Sequence, residues 1–332
     1  MRVFVTGATG VLGRRAVPLL LDAGYDVTAV ARTAEKSALL ERRGARAVAV
    51  DLYDRDAVRR AVQGIDAILN LASAVPSPGI SMFLPWSWHE MDRVRRLVSA
   101  NLVYAALAGD TVRRVVQESF AAIYADGGDA WLDETSRVRP APYNRSALDA
   151  EGNIERFSRI GRVGVVLRFG MFYGPSDAAT LQVIDVIRRG WFPLFGRPEA
   201  FSSWSEHSDA ARAAVAALEV PAGIYNVVDD QPLRRRDLGD GIARLLGGAP
   251  PRFLPPWSAH LGGVLGETLA RSLRISCRKL EQVSDWRPQY TSALAGFAAI
   301  IAAHQAQAIK TRTPSLGAEP AYPGPERRRT AR

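Results

Sequence analysis

The chain opens on Val3-Phe4-Val5-Thr6-Gly7-Ala8-Thr9-Gly10-Val11-Leu12-Gly13, an apolar run that breaks into three glycines before a helical pattern begins. A strand, a glycine-rich turn and a helix in this order are typical of a pyrophosphate site. Gly7 allows a sharp turn, Gly10 lets the backbone approach the ligand, and Gly13 lets the helix pack against the strand. Amide groups at the helix N-terminus then favour negative charge. We therefore predict that a dinucleotide is bound by Gly7, Ala8, Thr9, Gly10, Val11, Leu12 and Gly13.

The second predicted strand, residues 26–32, ends at Arg32, where an acidic residue would bind a ribose 2′-hydroxyl. Arg32, with Lys36 one turn on, suits a 2′-phosphate better, because a guanidinium forms charge-assisted hydrogen bonds with phosphate. We predict NADP(H) rather than NAD as the cofactor. The alternative is a solvated arginine at the start of a helix, which is predicted for residues 34–43.

Two further strands are predicted to end beside the same ligand. Residues 47–52 predict a short buried strand, at whose end Asp51 is a candidate to accept from the adenine amino group, and Leu52 is a further predicted cofactor contact. The alternative is that Asp51 starts the next helix, since a helical segment begins near Asp54. Residues 66–73 are nearly continuously apolar, which suits a parallel sheet covered on both faces, and Leu71, Ala72 and Ser73 are its predicted cofactor contacts. The pattern predicts an α/β fold with a doubly wound parallel sheet, the Rossmann arrangement.

Composition limits the classes of function. The chain has 332 residues, 47% of them hydrophobic, one cysteine and a net charge of +9. About four of these charges lie in residues 310–332, and the rest form no basic stripe with aromatic residues, so we expect no nucleic-acid partner. No apolar run or signal-peptide pattern predicts a membrane span or export, and we expect a cytoplasmic protein. Cys277 is expected to be a packed residue, and no metal-ligand cluster is predicted.

Residues 74–89 predict an apolar loop at the carboxyl edge of the sheet, rich in aromatic side chains. Such a loop can wall a pocket for a bulky apolar substrate, or it can be a packed surface loop. His89 within it is interpreted as a structural histidine. A long helix is predicted for residues 90–108, followed by a strand over residues 113–124.

At this point the chain resembles the extended short-chain dehydrogenases/reductases of the NAD-dependent epimerase/dehydratase group. The resemblance covers residues 1 to about 300 and rests on TGATGVLG (6–13), DL (51–52), NLAS (70–73), ESFAAIY (118–124), APYNRSALDAE (141–151), LRFGMFYGP (167–175), EHSDAA (206–211), GIYNVVDDQP (223–232) and DWRPQY (285–290).

The resemblance implies a catalytic Ser or Thr and a Tyr-x-x-x-Lys pair, of which this chain keeps only part. Tyr143 matches the tyrosine, but Ala147 stands where the lysine belongs. Arg145 is no substitute, because residues two apart on a helix point to nearly opposite sides. At the serine position an ungapped alignment places Phe120, with Ser119 one residue earlier. The candidate catalytic residues are therefore Tyr143 and Ser119.

Without the lysine, Tyr143 is expected to stay protonated near neutral pH, because a tyrosine pKa lies near 10 and a neighbouring cation is needed to lower it. A protonated phenol can donate to a carbonyl oxygen that receives hydride, but it is a poor base for an alcohol. Ketone reduction is thus easier to explain than alcohol oxidation.

Three segments of the chain are predicted to have separate roles: a dinucleotide-binding domain (1–174), a smaller, mainly helical substrate region (175–304), and a disordered basic tail (305–332). Residues 206–228 are expected to return to the sheet. The resemblance implies that Phe169 passes close to the nicotinamide. Arg271 and Arg274 are candidates for a substrate diphosphate, with surface charge and packing as the alternative.

Three functions remain open on this basis. The first is an NADP(H)-dependent reductase acting on a carbonyl of a bulky apolar molecule. The second is an NADP-binding sensor or scaffold without turnover, and the third is a sugar-nucleotide epimerase or dehydratase, which Ala147 argues against. The expected partner is a small-molecule substrate, with a homodimer left open and no membrane partner.

Overall fold

The structure is a computed structural model that describes residues 1–77, 79–175 and 177–312, without the side chains of residues 80 and 308–312. The strands are β1 (Arg2–Thr6), β2 (Asp26–Val30), β3 (Arg46–Val48), β4 (Ala67–Asn70), β5 (Arg114–Phe120), β6 (Trp131–Leu132), β7 (Val163–Phe169), β8 (Met171–Tyr173), β9 (Phe201–Ser202), β10 (Trp204–Glu206), β11 (Gly223–Val227), β12 (Leu233–Arg234) and β13 (Arg274–Ile275). The helices are α1 (Gly13–Asp22), α2 (Ala34–Arg42), α3 (Arg55–Ala61), α4 (His89–Arg93), α5 (Ser99–Ala108), α6 (Ser146–Arg159), α7 (Ala178–Arg188), α8 (His207–Ala216), α9 (Arg235–Leu245), α10 (Gly263–Leu269), α11 (Arg278–Val283) and α12 (Ala293–Arg312).

Seven strands form one parallel sheet in the order β11-β7-β5-β4-β1-β2-β3. Successive side chains of a strand point to opposite faces, so Val3 and Val5 pack on the side of α1 and α8, whereas Phe4 packs on the side of α3, α5 and α6. Both faces are covered, which explains the nearly continuous apolar runs. The predicted doubly wound fold is confirmed.

Several predicted boundaries are wrong. The strand predicted over 47–52 is β3, which ends at Val48 and is only half-buried because it lies at the edge of the sheet. The strand predicted over 66–73 ends at Asn70, and the one predicted over 113–124 ends at Phe120, before a 3₁₀ turn. The helix predicted over 90–108 is interrupted by a π-helical turn, Val94–Val98.

Pro18 lies inside α1 without ending the helix. A proline has no N–H, so the carbonyl of Arg14 loses its usual partner. Arg43, at the end of α2, donates from Nη1 to that carbonyl at 3.0 Å. The proline is tolerated because a side chain of the next helix supplies the missing donor.

The C-terminal part packs partly on the sheet and partly beside it. β11 pairs with β7, and the described helices beyond it bury a separate apolar cluster that includes Tyr173, Phe192 and Phe297. The prediction of a disordered tail from residue 305 is wrong for residues 305–312, which continue α12. Residues 313–332 lie outside the described part. Within that part, no helix combines the length and apolar character needed to cross a bilayer.

Candidate active site

The glycine turn after β1 has the geometry that a close approach requires. Gly7 has φ +64°, and a Cβ there would lie 2.2 Å from the carbonyl oxygen of Leu71. A Cβ on Gly13 would lie 2.2 Å from the carbonyl oxygen of Gly7, so only glycine lets α1 pack this close. Gly10 is exposed, and a Cβ on it would approach only the Gly7 carbonyl. The open side of the turn, at the start of α1, fits the pyrophosphate of a dinucleotide.

The other predicted residues of this turn differ in burial. Ala8 and Leu12 pack into the core, whereas Thr9 is half-buried and Val11 is exposed. Ala8 and Leu12 can therefore offer a ligand mainly backbone groups, and the outward residues can also offer side chains.

Arg32 and Asp51 lie at the ends of neighbouring strands, and both side chains are exposed. Within the described residues no ion pair holds Arg32, and the cap of α2 is Thr33, which accepts from the Lys36 amide. Asp51 accepts from the Tyr53 amide at 2.9 Å, and α3 is capped by Asp54 instead. Asp51 is thus not the cap of that helix, and the adenine contact stays a prediction.

The carboxyl end of β4 is tied to both neighbouring strands. Asn70 accepts from Thr6 Oγ1 at 2.5 Å and donates to Gln117 Oε1 at 2.7 Å. The chain then passes Leu71, which is buried, Ala72, which is half-buried, and Ser73, which is exposed. Residues 71–73 therefore start from a strand end that is fixed on both sides, at the carboxyl edge of the sheet.

Two of the predicted cofactor-binding residues, Leu52 and Phe169, already make contacts within the protein. The carbonyl of Leu52 accepts from Asn101 of α5 at 3.0 Å. Phe169 ends β7 fully buried, with its ring 5.3 Å from that of Phe172. Phe169 can reach a nicotinamide only through its backbone or after a side-chain movement.

Tyr143 lies in a 3₁₀ turn, Pro142–Asn144, directly before α6. Its ring centroid is 4.5 Å from that of Trp88, in an apolar cluster with Met91 and Leu265. Burial raises the pKa of Tyr143, and a hydrogen bond with Thr268 and the charges of Arg271 and Arg95 oppose this rise. The phenol is therefore a protonated group in largely apolar surroundings.

Ser119 is not placed as the resemblance implies. It is 1% exposed, and its hydroxyl donates to Glu151 Oε1 of α6 at 2.7 Å. Glu151 is also paired with Arg168 of β7 at 2.7 and 2.9 Å, and Arg168 donates to the hydroxyl of Tyr124. Because its proton is committed inside this buried network, Ser119 has a structural role, and its assignment as a catalytic residue rests on the resemblance alone.

The structure adds a buried charged pair that the sequence analysis missed. Arg95, in the π turn, is 3% exposed and lies with Nη2 3.8 Å from Glu118 Oε1. Burial raises the pKa of Glu118, and Arg95 opposes that shift. The spacing of Met91, Arg95, Val98 and Leu102 follows one side of a helix, and all four are buried, so this periodicity was the signal that could have found Arg95.

The loop of residues 74–89 forms two 3₁₀ turns beside Tyr143. Trp88 is buried and donates from Nε1 to the Met82 carbonyl, whereas Trp86 is 63% exposed and Phe83 is 42% exposed. A Cβ on Gly262 would lie 3.3 Å from the ring of Phe83, so residues 256–269 close over the loop. His89 is exposed.

Arg271 and Arg274 are engaged with the protein itself. Arg271 donates to the carbonyls of Ala122 and Tyr124 at 3.2 and 2.9 Å. The guanidinium of Arg274 lies over the ring of Trp131, at 4.2 Å from its centroid. This favours packing over diphosphate binding for both residues.

One group of metal-capable side chains that the sequence did not predict comes together in the described residues. The ligand atoms of Asp230, Cys277 and Glu281 lie within 4.8 Å of one another. Burial and the nearby carboxylates raise the pKa of the Cys277 thiol. A neutral thiol is a poor metal ligand, which agrees with the expected packing role of Cys277.

Comparison with known proteins gives one family. The sequence model of the NAD-dependent epimerase/dehydratase family matches residues 3–227. A Streptomyces protein named 3-diazoavenalumate denitrifying reductase is 31% identical, over 88% of this chain and 97% of its own. A ketoreductase of a farnesylated dihydroquinoline oxide, from Stigmatella aurantiaca, is 26% identical over 82% of each chain.

Solved structures share the fold. UDP-glucose 4-epimerase from Thermotoga maritima superposes with a TM-score of 0.73 at 20% identity, over 93% of this chain and all of that one. A human epimerase family protein with NADPH gives 0.71 at 21% identity, over 91% and 99%. UDP-glucose 4-epimerase from Thermus thermophilus with NAD gives 0.70 at 26% identity, over 92% and 99%.

Proposed function

Because the chain belongs to the NAD-dependent epimerase/dehydratase family, which binds NAD(P), we propose that it is an NADPH-dependent reductase of a carbonyl in a bulky, apolar small molecule. Relatives that match most of its length support the reaction class. Besides the two described above, they include a 2-alkyl-3-oxoalkanoate reductase from Shewanella oneidensis and a protein from Streptomyces griseus named (4-alkanoyl-5-oxo-2,5-dihydrofuran-3-yl)methyl phosphate reductase.

The observation that carries the proposal is the position of Tyr143. Its ring packs against the apolar cluster of Trp88 and Leu265, and the charges of Arg95 and Arg271 act on its hydroxyl. An apolar substrate can pack on the cluster while its carbonyl oxygen meets the phenol. NADPH, held by the glycine turn, would supply the hydride, and Tyr143 would donate the proton to the oxygen that becomes an alcohol.

The ionisation of Tyr143 supports reduction as the favoured direction. Burial raises the pKa of its phenol, so the proton is present at neutral pH. Alcohol oxidation would need the phenolate as base, which this site disfavours. The same argument stands against a sugar-nucleotide epimerase, whose reaction begins by removing a hydroxyl proton.

The choice of NADPH is supported by Arg32, exposed and without an ion pair in the described part of the chain. A phosphate on the ribose would give it a partner. The choice of an apolar substrate is supported by two exposed rings of the same loop, that of Phe83 beside Gly262 and that of Trp86. These rings leave apolar surface in water that a substrate can cover.

The test is NADPH consumption with a panel of bulky ketones, by wild type and by Tyr143→Phe. The variant keeps the ring packing and loses the proton, so its rate should fall by roughly 10²–10⁴-fold, while NADPH binding is retained. Equal rates would place the proton donor elsewhere. Tight NADPH binding without turnover of any ketone would favour a sensor.

A second candidate is reduction of an aryl diazonium group, as the name of the Streptomyces relative suggests. Hydride added to the terminal nitrogen gives an aryl diazene. The diazene releases N₂, and its hydrogen ends on the ring carbon that carried the nitrogen, so the enzyme supplies no proton. The sequestered Ser119 and the absent lysine favour this chemistry. Under it, Tyr143→Phe should retain N₂ release from an aryl diazonium salt, whereas ketone reduction would be lost.

A further inference from the structure

Arg95 is a buried cation without its full set of partners. Its Nε and Nη1 have no hydrogen-bond partner within the described residues, and neither has Glu118 Oε2 beside it. The 3.8 Å between Arg95 Nη2 and Glu118 Oε1 is too long for a hydrogen bond. Leaving buried charged groups unsatisfied is costly, so each such group calls for a further partner. Asn144, next to Tyr143, has an unpartnered Oδ1 as well.

The π turn is held beside the start of α6, which follows Tyr143. Three side-chain contacts join α6 to the π turn and to the residues on either side of it: Ser146 to Asp92 at 2.5 Å, Arg96 to Asp149 at 2.8 Å, and Asn153 to Ser99 at 2.8 Å. The carbonyl of Arg95 accepts from the hydroxyl of Ser99. Single π turns inside α-helices are frequent at functional sites, and this one fixes the backbone from which Arg95 extends.

The position four residues after Tyr143 is the buried Ala147, 1% exposed. A methyl group supplies no charge at this position. We propose that Arg95 replaces the missing lysine as the cation of the catalytic site. It extends from the neighbouring helix, with its free nitrogens directed to an oxygen of the bound ligand beside the Tyr143 phenol. This inference rests on the proposed function.

The charges around Tyr143 determine whether a substitution raises or lowers the pKa of its phenol. Arg95 faces it from the π turn, Arg271 from the segment after α10, and Thr268 contributes a hydrogen bond from α10. Both cations favour the phenolate, whereas Glu118 partly neutralises Arg95. Removing Arg95 should therefore raise the pKa of Tyr143, and removing the charge of Glu118 should lower it.

The first experiment needs no turnover. Incorporate 3-fluorotyrosine, assign the residue 143 signal by its loss in Tyr143→Phe, and follow its ¹⁹F shift against pH with NADP⁺ bound. In Arg95→Met we expect the phenol pKa to rise by about one unit or more. Arg95→Lys should restore it, and Glu118→Gln should move it downward. The matched control is Arg93→Met, which removes an exposed arginine directly before the π turn and should leave the phenol pKa unchanged.

The second experiment is a rescue. Arg95→Met should weaken NADP(H) or substrate binding and slow alcohol-dependent reduction of NADP⁺ by about tenfold at fixed pH for each unit of pKa shift. Adding Ala147→Lys to Arg95→Met should recover the lost rate, since it returns a cation at the position four residues after Tyr143.

These readouts separate the inference from the proposed function. If no variant turns over but the phenol pKa shifts as described, Arg95 keeps its role and the proposed reaction is wrong. An unchanged phenol pKa in Arg95→Met, together with a lowered melting temperature and no rescue by Ala147→Lys, would mean that Arg95 only stabilises the fold.

Discussion

Arg32 is the residue on which the cofactor choice depends. Charge-assisted hydrogen bonds to a phosphate contribute on the order of 1.5–3 kcal/mol, or roughly tenfold to a hundredfold in affinity. Wild type should therefore bind NADPH more tightly than NADH by that factor, and Arg32→Ala should lose the preference while its NADH affinity is unchanged. Fluorescence titration of both cofactors measures this. Equal affinities in wild type would contradict the assignment.

Some residues of the site can be identified from their immediate neighbours in the sequence, and others cannot. Gly7, Gly13 and Arg32 follow directly from spacing along the chain, because the turn that needs them is formed by consecutive residues. Ser119 and Arg95 do not. Whether Ser119 faces a ligand or Glu151 depends on a helix 32 residues away. The helical spacing could have shown that Arg95 is buried, but not that two of its nitrogens stay without a partner in the described part of the chain.

At the scale of elements, the loop of residues 74–89 and the segment 256–269 form one wall. Trp86 is largely exposed, so Trp86→Ala should spare stability and raise the KM of bulky apolar substrates severalfold, with NADPH affinity unchanged. Trp191→Ala is the matched control, because Trp191 is also exposed and lies on the segment after α7. A KM that is unchanged in Trp86→Ala would show that the substrate does not reach this ring. Trp88→Ala should instead destabilise the fold, by about 3–5 kcal/mol.

The link between α1 and α2 gives a second prediction. Arg43→Ala removes the donor to the Arg14 carbonyl and should cost about 1 kcal/mol in the free energy of unfolding. In a Pro18→Ala background the restored amide satisfies that carbonyl, so the same change should cost much less. Urea unfolding of the four proteins of this double-mutant cycle measures the coupling. Additive effects would show that the contact does not compensate for the proline.

The order of the sheet strands was predictable because each strand and crossover helix has its own pattern in the sequence. Strand ends were not, since Val48 and Asn70 are followed by residues as apolar as the strands themselves. Pairing with a neighbour decides where such a strand stops, and β3 is shortened by lying at the edge. The π turn has no sequence signature of its own, because its residues also suit an α-helix.

For the whole molecule, two buried groups give stability opposite dependences on pH. Burial raises the pKa of Asp229 to about 7, although it accepts hydrogen bonds from the amides of Trp204 and Ala293. The stability that protonated Asp229 contributes to the fold is present below about pH 4 and is lost as the pH rises to about 7. Burial lowers the pKa of His207 to about 4. The stability that neutral His207 contributes to the fold is present above about pH 6.5 and is lost as the pH falls towards 4.

Plotted against pH from 4 to 8, the unfolding free energies of two variants should therefore differ in slope from that of wild type, in opposite directions. Relative to wild type, Asp229→Asn should gain stability as the pH rises, and His207→Gln should gain stability as the pH falls. Only the slopes are compared, so a constant loss from an altered hydrogen bond does not matter. Parallel curves for wild type and a variant would show that the substituted group does not titrate with folding.

The wall over Tyr143 also sets an order of events in folding. Arg271 is bound to carbonyls 147 and 149 residues earlier in the chain, and residues 256–269 meet a loop that is more distant still. Contacts between such remote segments carry a large loop-closure cost and tend to form late. The glycine turn needs only neighbouring strands and one helix. During refolding, and during synthesis on the ribosome, the chain should therefore gain the ability to bind its cofactor before it has a place for its substrate.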